Sequence, residues 1–174
     1  MFAILNIADP VEVSAYERAM YRAFEKYLQD PAIELIWHVD SNEQRIRTRV
    51  PYADQLIGVI WVEGVVMAAT AVNLNLRATW QVEMLGFTVD KTQPQMCEAL
   101  AVFSNQRMFP KPDVLFFSQV AQSVAYILKT QHNIRLIYGS CAEWALPGYR
   151  ELGWTAVETR LITGDRETLI RITI

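Results

Sequence analysis

The chain opens with apolar residues at helical spacing and then turns to runs of β-branched residues, and that change of period sets out its elements. Phe2 to Ile7 is a short apolar run bounded by Asp9-Pro10, which predicts a first strand. Asp9 is placed to cap a helix, with Pro10 at the first helical position and Glu12 three residues after the cap. Val13, Tyr16, Met20, Ala23, Phe24 and Tyr27 then recur at three- and four-residue steps, with Glu17, Arg18, Arg22, Glu25 and Lys26 on the other side. This helix is expected to end near Asp30-Pro31, because proline disfavours helical geometry in the residue before it. Ile33 to Val39 suits either a strand or a second helix. Ser41 to Arg49, with arginines at 45, 47 and 49, reads as a surface loop or a segment facing a substrate.

Gln55 to Glu63 and Val65 to Leu74 predict two antiparallel strands joined at Glu63-Gly64. Trp80 to Val89 alternates partially and is expected to be a further strand, and Cys97 to Phe103 another, although Glu98 to Ala101 are also good helix formers. After a loop from Ser104 to Pro112, Asp113 is expected to cap a helix reaching Thr130, whose Phe116, Phe117, Val120, Ala121, Val124, Ile127 and Leu128 form a broad apolar face. Ile134 to Cys141 follows as a strand, its continuous apolar start typical of burial on both faces. Pro147 to Leu152 is a short helix closing on Gly153. Val157 to Thr163 and Thr168 to Ile174, around Gly164-Asp165, form a terminal hairpin. The order implies one mixed α/β (α+β) domain over 1–174, a mostly antiparallel sheet flanked by helices.

Composition narrows the classes. With 52% hydrophobic and 20% charged residues over 174 positions, the chain can bury a core. The net charge of −3 and the scattered basic residues give no footprint for nucleic acid or an anionic membrane. No apolar run approaches the roughly 20 residues of a membrane span, and Met1 to Ile7 lacks the basic start of a signal peptide, so a cytoplasmic location is expected. Cys97 and Cys141 stand on expected core strands without metal-ligand spacing, which reads as buried thiols, and no metal site is expected.

Tyr149-Arg150-Glu151-Leu152-Gly153-Trp154 resembles the Tyr-x-x-Leu-Gly-Phe segment of the GNAT superfamily of acyl-coenzyme A dependent N-acyltransferases. Glu98-Ala99-Leu100-Ala101-Val102, with Arg107 five residues on, is similar to that superfamily's fourth strand and the start of its phosphate loop. The resemblance implies a GNAT-like sheet and transfer of an acetyl or longer acyl group from acyl-coenzyme A to a small amine. It implies Glu98 as the base and Tyr149 as the acid, because such transfer removes an ammonium proton and protonates a departing thiolate. Glu83 replaces Glu98 if Trp80 to Val89 is the true fourth strand. Leu100, Ala101 and Val102 are implied to pair with the pantetheine arm, and Arg107 and Lys111 to face its phosphates. Glu98 equally suits an outward strand position, and Tyr149 a core tyrosine.

One departure has chemical weight. Pro110 and Pro112 stand where the superfamily's loop has small residues, and proline has no N–H to offer a pyrophosphate. Each lost hydrogen bond to a charged group is worth about 1.5 to 3 kcal/mol, so the pair removes on the order of a hundredfold in affinity or more. Two other readings therefore stand beside the first. One is an N-acyl synthase of the same fold that takes its donor from acyl carrier protein; the other is a binding module without catalysis. A homodimer is compatible with each.

Overall fold

The computed structural model describes residues 1–105 and 114–174. In chain order its strands are β1 (Phe2–Ile4), β2 (Trp37–Asp40), β3 (Arg45–Thr48), β4 (Gln55–Val62), β5 (Val65–Asn73), β6 (Met96–Ser104), β7 (Leu136–Ala142), β8 (Thr155–Ile162) and β9 (Asp165–Thr173). The helices are α1 (Pro10–Phe24), α2 (Pro31–Ile36), α3 (Gln81–Met84), α4 (Val114–Gln131) and α5 (Leu146–Glu151). Seven strands form one sheet in the order β1-β4-β5-β6-β7-β9-β8, and β2 and β3 form a separate hairpin. All pairings are antiparallel except β6 with β7, as the mixed, mostly antiparallel expectation requires. No helix among the described residues is long and apolar enough to cross a membrane.

The helices cover the two faces of the sheet. Tyr16, Ala19 and Met20 of α1 pack with Val59, Ala69 and Phe103 on one face. Val124 and Leu128 of α4 pack with Val72, Cys97 and Ile137 on the other. Asp9 caps α1 as expected, its carboxylate accepting the Val11 and Glu12 amides. Glu12 reaches past the cap to accept the Asn6 amide at 3.0 Å, so the capping box is shifted outward. The two long hairpins turn at Glu63-Gly64 and Thr163-Gly164, each with positive φ at both central residues, which suits the right-handed twist of the strands they join.

Three expectations change. Trp80 to Val89 is not a strand: Glu83 accepts the Trp80 amide at 2.7 Å and starts the single turn of α3, after which Leu85, Phe87 and Val89 are buried without a strand neighbour. Ser41 to Arg49 is not a plain loop, because Arg45 to Thr48 pairs with Trp37 to Asp40. Its one apolar residue, Ile46, is fully buried beneath α1, and Arg45 closes on the buried Glu17 with Nε at 2.7 Å, while Tyr52 donates to the same carboxylate at 2.7 Å. The ambiguous Ile33 to Val39 divides at Ile36 into the end of α2 and the start of β2, with Asp30 capping α2 through the Ala32 amide at 2.8 Å. The expected cap at Asp113 lies outside the described residues.

Gly58 sets how closely α4 lies on the sheet. A Cβ there would press on the Val124 side chain and come within 2.9 Å of the Phe2 ring. Gly58→Ala is expected to lower stability by about 1 to 3 kcal/mol through overpacking, read as a lower thermal midpoint. An unchanged midpoint would show that α4 can ride outward freely.

Candidate active site

β6 and β7 are bonded in parallel at three positions only, Met96 with Leu136, Cys97 with Ile137 and Glu98 with Tyr138. Beyond them each strand stays with its outer neighbour, β6 with β5 to Ser104 and β7 with β9 to Ala142. The inner edges therefore part. A β-bulge marks the place: Ala71 faces Ala101 and Val72 faces Ala99, which leaves Leu100 as the extra residue. Such a bulge bends its strand and increases the local twist. A buried side-chain relay holds it, since Trp37 Nε1 donates to Gln81 Oε1 at 3.0 Å and Gln81 Nε2 donates to the Leu100 carbonyl at 3.0 Å.

The parting opens on both faces of the sheet. A cavity of about 180 Å³ lies on the α1/α2 side and one of about 200 Å³ on the α4 side. Ala99, Val102, Tyr149 and Trp154 line both, so they stand around a passage through the sheet. Leu100 and Ala101 line the first cavity. The α4-side cavity is mainly apolar, and it contains the buried Thr70 hydroxyl, which has no hydrogen-bond partner among the described residues.

Tyr149 is positioned by the short helix that the sequence predicts. Gly153 ends α5 with φ of +89°, and the Trp154 amide donates back to the Tyr149 carbonyl at 3.0 Å. The two rings meet edge to face with centroids 5.7 Å apart. Among the described residues nothing bonds the Tyr149 hydroxyl. Burial, with help from Cys141 and Glu167, pushes its pKa up to about 12, so it keeps its proton at neutral pH.

Glu98 is fully buried on β6 and does not line either cavity. Its carboxylate accepts the Val82 amide at 2.7 Å and Asn73 Nδ2 at 3.4 Å, which ties it to the start of α3. Burial raises its pKa to about 7 despite the amides of Val82 and Gln81 and the Asn73 side chain, which favour the charged form. Glu83 is turned to other work: it accepts from Lys91 Nζ and the Trp80 amide, both at 2.7 Å. Arg107, Lys111, Pro110 and Pro112 lie outside the described residues. Of the loop arginines, Arg45 holds Glu17 and Arg49 donates to the Glu34 carbonyl at 2.7 Å. No cluster of His, Cys, Asp and Glu among the described residues could hold a metal ion.

Two lining residues escape a reading of the sequence. Gln81 fell within the expected strand, and nothing in a glutamine's type reveals burial. Glu167 stands on β9 and lines the α1/α2-side cavity, half-buried and without a hydrogen bond or ion pair to a described residue. Its only sequence signal is that it lies two residues from the buried Leu169, on the same face of the strand.

No protein-family model and no curated protein sequence matches the chain. Solved structures do. The CoA-dependent acyl-homoserine lactone synthase BjaI, with SAM and isopentyl-CoA, superposes with a TM-score of 0.71 at 12% identity over 100% of this chain and 84% of its own. The CoA-dependent acyl-homoserine lactone synthase MesI gives 0.65 at 16% identity over 91% and 78%. The aminoglycoside 6'-N-acetyltransferase from Enterococcus faecium gives 0.64 at 6% over 99% and 96%. Likeness at such identity shows the fold, which is that of the GNAT acyltransferases.

The buried Glu98 carries a pH dependence. Its folded pKa of about 7 lies above the ordinary 4.5, so the folded chain binds this proton more tightly than the unfolded one. The resulting stability is complete below about pH 4.5 and is lost as pH rises through 7, on the order of 3 kcal/mol in all. Glu167, also raised to about 7, adds in the same direction. Denaturant midpoints should therefore fall between about pH 5 and pH 8, and less steeply in Glu98→Gln. Equal slopes would show that the carboxyl does not titrate in that range.

Proposed function

We propose that this GNAT-fold domain is an acyl-CoA-dependent N-acyltransferase acting on a small amine. The passage where β6 and β7 part carries the reading. A thioester entering along the α4 side and an amine entering from the α1/α2 side would meet beside Ala99 and Tyr149. The inner edge of β6 at Leu100, Ala101 and Val102 has no strand partner among the described residues, and apart from the Leu100 carbonyl, which accepts from Gln81, its backbone groups are open to pair with the amides of a pantetheine arm as an added strand does. The apolar walls below α4 suit the alkyl part of the donor. Arg107 and Lys111 are assigned the phosphates, as fork and point charges in place of loop amides.

The chemistry follows from the protonation states. The amine loses its ammonium proton, its nitrogen attacks the thioester carbonyl, a C–N bond forms, the C–S bond breaks, the thiolate takes a proton from the Tyr149 phenol, and the nitrogen gives up its second proton, which restores that phenol and leaves the neutral amide. Tyr149, buried and protonated at the passage, is thus the donor to the thiolate. Glu98, which can gain or lose a proton near neutrality, is assigned the ammonium proton. Its carboxylate is sealed behind the Val82 amide and Asn73, so the proton reaches it through intervening groups rather than by contact.

Calorimetry with acetyl-CoA should give micromolar binding, and absence of heat at millimolar ligand would sink the proposal. Tyr149→Phe should lower kcat about a hundredfold with KM little changed, the usual range for loss of a general acid. Glu98→Gln should lower kcat and remove the limb of the pH-rate profile near 7; an unchanged profile in a folded variant would leave Glu98 a purely structural role.

A further inference from the structure

The outer part of the α1/α2-side cavity contains two carboxylates, Glu167 and Asp30, with no ion pair to a described residue, beside the exposed Trp144 ring and the half-buried Tyr27 ring. Glu167 pairs across the sheet with Ala142, three residues beyond Gly139 on β7. At a strand rise of about 3.3 Å per residue it lies about 10 Å from the point where the strands part. Its charged neighbours are Asp30 and Asp165, of its own sign, and with burial they push its pKa to about 7. Arg150, which like Glu167 acts on the Cys141 thiol, makes no ion pair with Glu167, and the two arginines of the hairpin are engaged elsewhere. Arg160, opposite Glu167 in the strand pairing, binds Glu158 at 2.5 Å and the Gly86 carbonyl, and Arg166 donates to Glu143 at 3.1 Å. Asp30 shares the cavity and spends Oδ1 on the Ala32 amide. A half-buried carboxylate facing like charge is unfavourable until a cation reaches it.

The aromatic groups point the same way. Tyr27 and Trp144 line this cavity and stack with centroids 5.1 Å apart at 15°, and Trp144 is 67% exposed. Lys26 Nζ already lies 4.5 Å from the Tyr27 centroid, so this stack accepts a cation on one face. Deeper in the same cavity the Tyr149 hydroxyl, unbonded among the described residues, awaits a polar partner.

We propose that the amine acceptor carries a second, non-reacting positive charge, and that Glu167 with Asp30 holds it at the outer end of the cleft beside Trp144. This rests on the N-acyltransferase reading and names its acceptor class, a small diamine or an amine with a comparable fixed charge. The reacting nitrogen must be neutral when it attacks, whereas the second group stays charged. The two therefore need different surroundings, and the cleft offers both: the parted strands for one and, about 10 Å further along β7, the carboxylates and aromatic face for the other.

The test is binding of 1,4-diaminobutane and 1-butylamine to the full chain, without acyl-CoA, by calorimetry at about pH 8, above the raised pKa of Glu167. The wild type should bind the diamine at least tenfold more tightly, and Glu167→Gln should abolish that preference while leaving 1-butylamine unchanged. Because Glu167→Gln removes like-charge repulsion, its thermal midpoint should not fall. Equal affinities in the wild type, a preference that survives Glu167→Gln, or binding of neither amine would overturn the assignment. The outcome is independent of the donor: failure to bind acetyl-CoA sinks the acyltransferase reading and leaves the diamine preference to be read by itself.

Discussion

The fold depends on a parallel pairing that stops after three residues. Backbone N–H and C=O groups left unpaired inside a protein carry a cost comparable to lost hydrogen bonds, so an interior sheet edge does not stay open without cause. Here β6 is bonded to β5 from Glu98 to Ser104 but for the bulged Leu100, and β7 to β9 over seven positions, Leu136 with Thr173 to Ala142 with Glu167, so neither can turn toward the other. The bulge at Leu100 then bends β6 away. The unpaired edge is a template for an extended ligand, and the two cavities that flank it make it reachable from both faces.

The polar side chains around the gap divide into those that build it and those left over. Gln81 is spent on Trp37 and the Leu100 carbonyl, Glu98 on the start of α3, and Glu83 on Trp80 and Lys91. Together they anchor α3 beneath the bulge. Further out, Glu17 with Arg45 and Tyr52 fastens the β2-β3 hairpin over α1, so the α1/α2 wall of the cleft is braced from behind. By contrast Tyr149, Thr70 and Glu167 line the cavities with their polar atoms unspent among the described residues. In a folded interior where most buried polar groups are paired, these unspent ones in the two cavities are the groups that the proposed ligands would complete.

The two buried glutamates show how placement separates similar side chains. Both have pKa values pushed to about 7 by desolvation. Glu98 is compensated by amides and closed off, which suits a proton store that also locks α3. Glu167 is opposed by Asp30 and Asp165 and open to the cleft, which suits a cation.

Local patterns carried much of the fold into the sequence. The Asp9-Pro10 cap, the two hairpins with their glycines, the apolar stripe of α4 and the Tyr149 to Trp154 segment are set by backbone chemistry and periodicity within a few residues, and each stands within about three residues of its expected place, the last hairpin turning at Thr163-Gly164 rather than Gly164-Asp165. The departures fall where distant residues decide. Trp80 to Val89 became a helical turn because Glu98, on another strand, accepts its amide, and Ser41 to Arg49 became a hairpin because Glu17 on α1 draws in Arg45. Glu98 and Glu167 are one residue type with one titration range in the sequence. Which of them is sealed and which meets the cleft was decided only by tertiary structure, because solvent access and the sign of neighbouring charge come from segments far along the chain.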